Sequence, residues 1–315
     1  MNTTYSGKLV LAPMEGLTDV HMRRMLTAVG GYDWCVTEFI RVTDRLHPAR
    51  VFFEACPELH QGGKTDAGTP VHVQLLGSEP QVLAENAARA ARLGAHAIDL
   101  NFGCPAKTVN KHRGGAVLLE EPELVHAIVA AVRRAVPKEI PVTAKMRLGF
   151  RDRSRMLDNA QGIEAAGADW LTVHARTKDD GYRPPAHWDA IAEIRAAVKL
   201  PLIANGEIWT PEDARRCQQE SQCPDLMIGR GAVCRPDLLR RIRGEAVDFG
   251  WADLVALQLD FLDRMQGHDA GVGGRYKQWL GMLTQSYPEA GVLFDRVKKL
   301  KALAEIRAQL ATSLG

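Results

Sequence analysis

Short apolar runs alternate with amphipathic stretches along most of this chain. The runs are Leu9 to Met14, Trp34 to Ile40, Val71 to Leu76, Ala97 to Asn101, Val142 to Leu148, Trp170 to Ala175, Pro201 to Asn205 and Leu226 to Ile228. Runs of this length read as strands buried on both faces, and the stretches between them have the spacing of crossover helices. Eight such units predict an α/β fold, a closed (β/α)8 barrel of the TIM type. Helix starts agree. Thr210-Pro211-Glu212-Asp213 offers a capping hydroxyl, a proline in the first turn and acids at the positive end of the helix dipole, and Pro80 and Pro122 mark two further starts. An open doubly wound sheet is the competing architecture, but no Gly-x-Gly-x-x-Gly follows the first run and polar residues end nearly every strand.

The pattern changes after about residue 244. Helical spacing takes over with Leu254, Leu257, Phe261 and Met265, then Trp279, Leu280 and Leu283, then Val292, Leu293, Val297 and Leu300. This predicts a barrel domain over residues 1–244 and a small helical domain over 245–315. From Ala270 to Arg307 seven bases oppose three acids, a local charge of 7 − 3 = +4. Such a cluster is either a solvated face or an anion-binding one. Arg275-Tyr276-Lys277-Gln278-Trp279 and Arg296-Val297-Lys298-Lys299-Leu300-Lys301 mix cations with aromatic and amide groups, which points toward RNA.

Composition narrows the class. The chain has 315 residues, 46% hydrophobic, with a net charge of +2. The segment from Met1 to Lys8 has no apolar run of signal-peptide length and nowhere do 18 apolar residues stand together, so a cytoplasmic protein without a membrane span is expected. Six scattered cysteines without a Cys-x-x-Cys pair, and ten histidines without helical His-x-x-x-His spacing, suggest neither disulfides nor a metal site.

The chemistry concentrates at strand ends, which in a barrel of this kind face one shared mouth. Ile98-Asp99-Leu100-Asn101-Phe102-Gly103-Cys104-Pro105 runs a strand into a glycine-kinked turn that presents one thiol. The alternative is a buried, inert cysteine. Lys145 falls inside the run Val142 to Met146 and is expected to need a negative partner at a desolvated mouth; a Schiff-base lysine is the rival reading. The loops after the seventh and eighth strands, Asn205-Gly206-Glu207 and Gly229-Arg230-Gly231, occupy the usual barrel phosphate site.

Taken in order, Pro13-Met14-Glu15-Gly16, Gln74-Leu75-Leu76-Gly77, Asn101 to Lys107, Lys145-Met146-Arg147, His174-Ala175-Arg176-Thr177, Asn205-Gly206-Glu207-Ile208 and Gly229-Arg230-Gly231 resemble the tRNA-dihydrouridine synthases over the whole chain. Thr37 to Val42, Asn205 to Trp209 and Lys277 to Leu280 resemble the C subgroup, which implies the D-loop uridine at position 16 as target. Two positions depart from the wider family's pattern: Phe102 stands where Met is frequent, and Gly114-Gly115-Ala116 replaces an Ala-Gly-Ser-like segment.

The resemblance implies FMN as cofactor and NADPH as reductant, with Pro13, Met14, Glu15, Gln74, Lys145, His174, Asn205, Gly206, Glu207, Gly229 and Arg230 around the flavin. It implies that Cys104 protonates uracil C5 after hydride delivery to C6. An ordinary thiol is mostly protonated at neutral pH, so no activating base is required, although the sequence leaves His112 open as a neighbour. Asn101, Arg176 and Arg41 are expected to face the extruded base or its backbone, and Arg275, Lys277, Arg296 and Lys298 to hold tRNA. A monomer is expected. A barrel enzyme acting on a small metabolite, and an idle RNA-binding protein, are the two competing functions.

Overall fold

The structure is a computed structural model that describes residues 5–265 and 271–314. Among the described residues nine strands, β1 (Leu9–Leu11), β2 (Trp34–Val36), β3 (Ile40–Arg41), β4 (Val71–Leu76), β5 (Ile98–Phe102), β6 (Val142–Arg147), β7 (Leu171–His174), β8 (Leu202–Asn205) and β9 (Asp225–Ile228), form one all-parallel sheet. The order is β2-β1-β9-β8-β7-β6-β5-β4-β3, and β2 also pairs with β4, which closes the barrel.

The closure explains why nine strands make eight staves. The run expected from Trp34 to Ile40 is a single stave broken in the middle, with both halves paired to β4. At the break the Thr37 N–H still donates to the His72 carbonyl, but the Gln74 N–H donates to Thr37 Oγ1 instead of to a backbone oxygen. A side chain has replaced one rung of the ladder. Pro13, which has no N–H to offer a neighbour, follows shortly after β1 ends at Leu11, short of the expected Met14.

Period-two alternation divides the core. Val10 packs with Val36, Ile203 and Met227 in a small inner cluster, whereas Leu9 and Leu11 belong to the large outer cluster shared with the helices. Trp34 and Trp170 lie against the inner cluster, and the Trp34 ring stacks on His72 at 5.2 Å. The helix starts follow the expected chemistry: Thr210 Oγ1 accepts the Asp213 N–H and the Asp213 carboxylate accepts the Thr210 N–H, with proline in the first turn at residues 80, 122 and 211.

Helices Trp251–Arg264, Val272–Leu283, Pro288–Val297 and Leu303–Ala311 follow the barrel. Leu254, Phe261, Trp279, Leu280, Leu283, Leu293 and Val297 are buried as their spacing predicts, but Val292 is 56% exposed because its neighbour Leu293 takes the inward direction. This helical unit is fixed beside the barrel mouth. Trp279 Nε1 donates to the Val233 carbonyl at 3.3 Å, and Arg275 bonds Asp19 and the Leu17 carbonyl in the loop after β1.

Candidate active site

A cleft of about 830 Å³ opens at the C-terminal ends of the strands. It is lined by every expected cofactor residue, from Pro13, Met14, Glu15 and Gln74 through Lys145, His174, Asn205, Gly206 and Glu207 to Gly229 and Arg230. Cys104, Asn101 and Arg41 line it as well.

Cys104 is the only one of the six cysteines that is not buried, and all six are free thiols. Its loop is pinned on both sides. Asn101 Oδ1 accepts the N–H groups of Gly103 and Cys104 at 2.9 and 3.0 Å, while Asn110 Nδ2 and the Ala116 N–H donate to the Cys104 carbonyl at 3.0 and 3.1 Å. Gly115 must be glycine here: its φ is +68°, and a Cβ would lie 2.8 Å from the Cys104 carbonyl oxygen. Burial pushes the Cys104 thiol above its ordinary value; the Ala106 N–H opposes this, Glu15 adds to it, and Arg147 and Lys145 oppose it. The thiol is therefore protonated at neutral pH. His112 is exposed and is not among the groups that act on it.

Glu15, Glu38 and Glu207 line the cleft too. Its three central cations, Lys145, Arg147 and Arg230, nevertheless form no direct ion pair with a carboxylate among the described residues. Arg147 instead donates to the carbonyls of Gly103, Thr177 and Gly181, each at 2.9 Å. Arg230 lies over the rings of Tyr182 and Trp209, at 4.8 and 5.0 Å. Burial and the Arg147 charge pull Lys145 down to about 8. Burial and the cations Arg147, Lys145, Arg176 and Arg230 hold His174 well below its ordinary value, so its ring is neutral. Its Nδ1 is buried without a partner among the described residues.

These are the features of a site built for an anion with hydrogen-bonding edges. Residues 10–274 match the family model described as dihydrouridine synthase.

The chain belongs to the dihydrouridine synthase family.

Three relatives named tRNA-dihydrouridine(16) synthase bracket the similarity. The protein from Aquipseudomonas alcaligenes is 55% identical over 97% of this chain and 99% of its own length. That from Pseudomonas syringae pv. tomato is 56% identical over 93% and 94%, and that from Haemophilus influenzae is 45% identical over 96% and 99%. Among solved structures, TcOYE with pHBA superposes with a TM-score of 0.53 at 11% identity, covering 77% of this chain and 90% of that one. A 2-naphthoyl-CoA reductase complex gives 0.57 at 12% identity over 75% and 49%. Both agree with the barrel fold.

Within this dihydrouridine synthase barrel, several expected residues do other work. Arg176 is fully buried and lies off the cleft lining, which corrects its expected place facing RNA. Its N–H donates to the His174 carbonyl in a tight turn, and its guanidinium bonds the Glu207 carboxylate and the Arg183 carbonyl. Glu207 also accepts Trp209 Nε1 at 2.8 Å. Burial raises its carboxyl, but those two bonds and the charges of Arg176 and Arg230 hold it below the ordinary range, and its backbone lies in the left-handed region at φ +58°. Asn205 turns its Nδ2 onto the Met227 carbonyl at 2.8 Å, bracing β9. Asn101 spends its oxygen on the Cys104 loop.

The expected RNA-facing cations divide. Arg275 is largely buried in its bonds to Asp19 and Leu17, and Lys277 Nζ donates to the carbonyls of Lys298 and Leu300. Arg296 and Lys298 are exposed, the latter paired with Asp295 at 2.7 Å. Arg41 is exposed at the cleft rim.

Glu38, Arg147 and Trp209, which lie in the motifs quoted above but were given no role, line the cleft, as does Tyr182, which lies in none. Arg147 was discoverable, since it shares a strand face with Lys145 two residues away. Tyr182 sits in the loop after β7, where no periodicity guides the eye. Among the described residues no three His, Cys, Asp or Glu side chains group as metal ligands, and no helix is long and apolar enough to cross a membrane.

Proposed function

We propose that this chain reduces the C5–C6 double bond of a tRNA D-loop uridine, at position 16, with FMN as cofactor and NADPH as reductant. One observation carries the reading: the one unburied thiol, held protonated, shares a cleft with three cations that form no direct ion pair among the described residues. The printed name tRNA-dihydrouridine(16) synthase of the relatives supports the substrate.

The residues present suit a flavin. Lys145, Arg147 and Arg230 offer its phosphate and the ring's anionic form positive charge that no direct ion pair takes up, and His174 Nδ1 is a buried polar atom in want of a partner among the described residues. Gly206, with φ +121°, and Gly229 keep side chains out of the phosphate loops; a Cβ at Gly206 would press on the His174 ring at 3.2 Å. When bound, the flavin supplies to uracil C6 the hydride that NADPH provides.

Cys104 then transfers its proton from Sγ to C5, and the thiolate it leaves regains a proton from solvent at the open cleft. Asn101, Asn110 and Arg147 hold the loop that carries this thiol. A uridine stacked in a D-loop must leave the stack to reach Cys104, at a cost of a few kcal/mol that contacts to the RNA backbone offset. Arg41 at the rim and the exposed Arg296 and Lys298 are the cations proposed for those contacts, and the helical unit from about residue 245 is the domain that presents the last two.

The test is direct. The purified protein, incubated with NADPH and unmodified tRNA, is expected to carry FMN and to form dihydrouridine at position 16. Flavin-free protein, or modification at a different uridine, would overturn the corresponding half of the reading.

A further inference from the structure

Asp99 is buried on β5, 2% exposed, and takes no part in the steps above. Its Oδ1 accepts the Thr143 hydroxyl at 2.6 Å, and its Oδ2 accepts Gln74 Nε2 at 2.7 Å. Gln74 Oε1 in turn accepts Asn101 Nδ2 at 2.8 Å, and Asn101 Oδ1 accepts the N–H groups of Gly103 and Cys104. The chain of bonds crosses three neighbouring staves, where Gln74 on β4 is in register with Asp99 on β5 and Asp99 with Thr143 on β6.

The direction of this chain is not free. Both oxygens of Asp99 accept here, whereas a primary amide donates at one end and accepts at the other. Asp99 thus obliges Gln74 to turn its NH2 toward the carboxylate and its oxygen toward Asn101. Asn101 must then spend its NH2 on Gln74, which leaves its oxygen for the Cys104 loop. Turning both amides around would set NH2 against the N–H groups of Gly103 and Cys104, donor against donor. Burial pushes the Asp99 carboxyl up, while the bonds from Gln74 and Thr143 and the charge of Lys145 draw it down.

We propose that Asp99 is a positioning residue for the reaction assigned above, on which this inference rests: it fixes the orientation of Gln74 and Asn101, and through them the place of the Cys104 thiol. It acts through two amides rather than on the reacting atoms. At the end of the chain away from the thiol only Asp99 sets that direction, because Thr143 reaches only its far oxygen, and the Gly103 and Cys104 N–H groups require the same sense at the other end.

The experiment compares Asp99→Asn, Gln74→Glu and the double variant with the wild type. In Asp99→Asn the new amide can present its NH2 to Gln74 and reverse the chain. Transfer from the pre-reduced enzyme to tRNA is expected to slow roughly tenfold or more, as a displaced acid does. Flavin content, flavin reduction by NADPH and circular dichroism are expected to stay within about twofold of wild type. Gln74→Glu sets two carboxylates face to face and is also expected to slow transfer. The double variant puts the only carboxylate at position 74, where it accepts from both neighbours, and is expected to recover most of the loss.

Undiminished transfer in Asp99→Asn, or an equal loss in flavin reduction, would overturn the inference. So would a double variant no faster than Gln74→Glu, a comparison that decides the matter if Asp99→Asn does not fold. A wild-type enzyme unable to reduce tRNA would remove the functional reading instead. The rate of Cys104 alkylation by iodoacetamide, altered in Asp99→Asn and restored in the double variant, would then still judge the positioning; an unaltered rate would end it.

Discussion

Asn101 and Cys104 form a closed local unit in which the Asn101 side-chain oxygen lies 3.0 Å from the Cys104 backbone N–H. The asparagine therefore shapes the turn that carries the thiol, a role distinct from the base contact its position first suggested. Asn101→Ala is expected to lower stability by roughly 1–2 kcal/mol, since two backbone N–H groups lose their acceptor. Dihydrouridine formation should fall more than flavin reduction does. Urea denaturation and the two half-reactions, followed separately, check this.

Cys104→Ala removes the proposed proton donor and little else. Turnover on tRNA is expected to fall roughly 10²- to 10⁴-fold, the usual contribution of general acid catalysis. Cofactor content and tRNA affinity should be unchanged. Dihydrouridine mapping beside a binding titration reads both, and full modification by this variant would exclude the thiol as the acid.

Lys145 gives a pH signature. With a value of about 8, its ammonium is present below that pH and lost above it. Affinity of the flavin-free protein for FMN is expected to weaken as pH rises from 7 to 9, and Lys145→Met should bind more weakly and lose this pH dependence. Fluorescence quenching of added FMN measures it; identical curves for the two proteins would take Lys145 out of the cofactor site.

Arg176 and Glu207 make a structural prediction. Arg176→Ala leaves a buried cavity and strips Glu207 of its partner. Because Glu207 is 24% exposed, the cost should sit near the low end for breaking buried pairs, about 3 kcal/mol. The variant's denaturation midpoint reports this, and a loss of RNA affinity without a loss of stability would restore Arg176 to the RNA-facing surface.

The helical unit now yields a sharper expectation than its net charge did. Replacing Arg296 and Lys298 with Gln should reduce the salt dependence of tRNA binding by roughly one slope unit per lost phosphate contact at most. Arg275→Gln should instead loosen the attachment to Asp19 and lower the melting temperature. Titrations at several salt concentrations and a thermal scan separate the two.

How much of this could be read in advance follows from which forces are local. The strands, their order and the thiol at a strand end were legible because burial on both faces writes long apolar runs, and turns need glycine and proline. The break at Thr37 was not, because a hydroxyl replacing one ladder bond leaves no mark on hydropathy. Arg176 misled for a related reason. Two residues after His174 it should share that face, but the turn formed by the Arg176 N–H on the His174 carbonyl ends the alternation. Arg275 and Lys277 looked like free cations because their partners, Asp19, Leu17, Lys298 and Leu300, are distant in sequence or are backbone carbonyls.

Three cations that form no direct ion pair among the described residues also bear on how the protein fares in a cell. Packed around one cleft, they repel each other in the folded chain and are dispersed in the unfolded one. An anionic ligand that bridges them binds only the folded form, so it raises the population of folded molecules in proportion to its own supply. With the flavin proposed above as that ligand, cells short of it are expected to hold less of this protein, because the fraction left unfolded is what proteases remove.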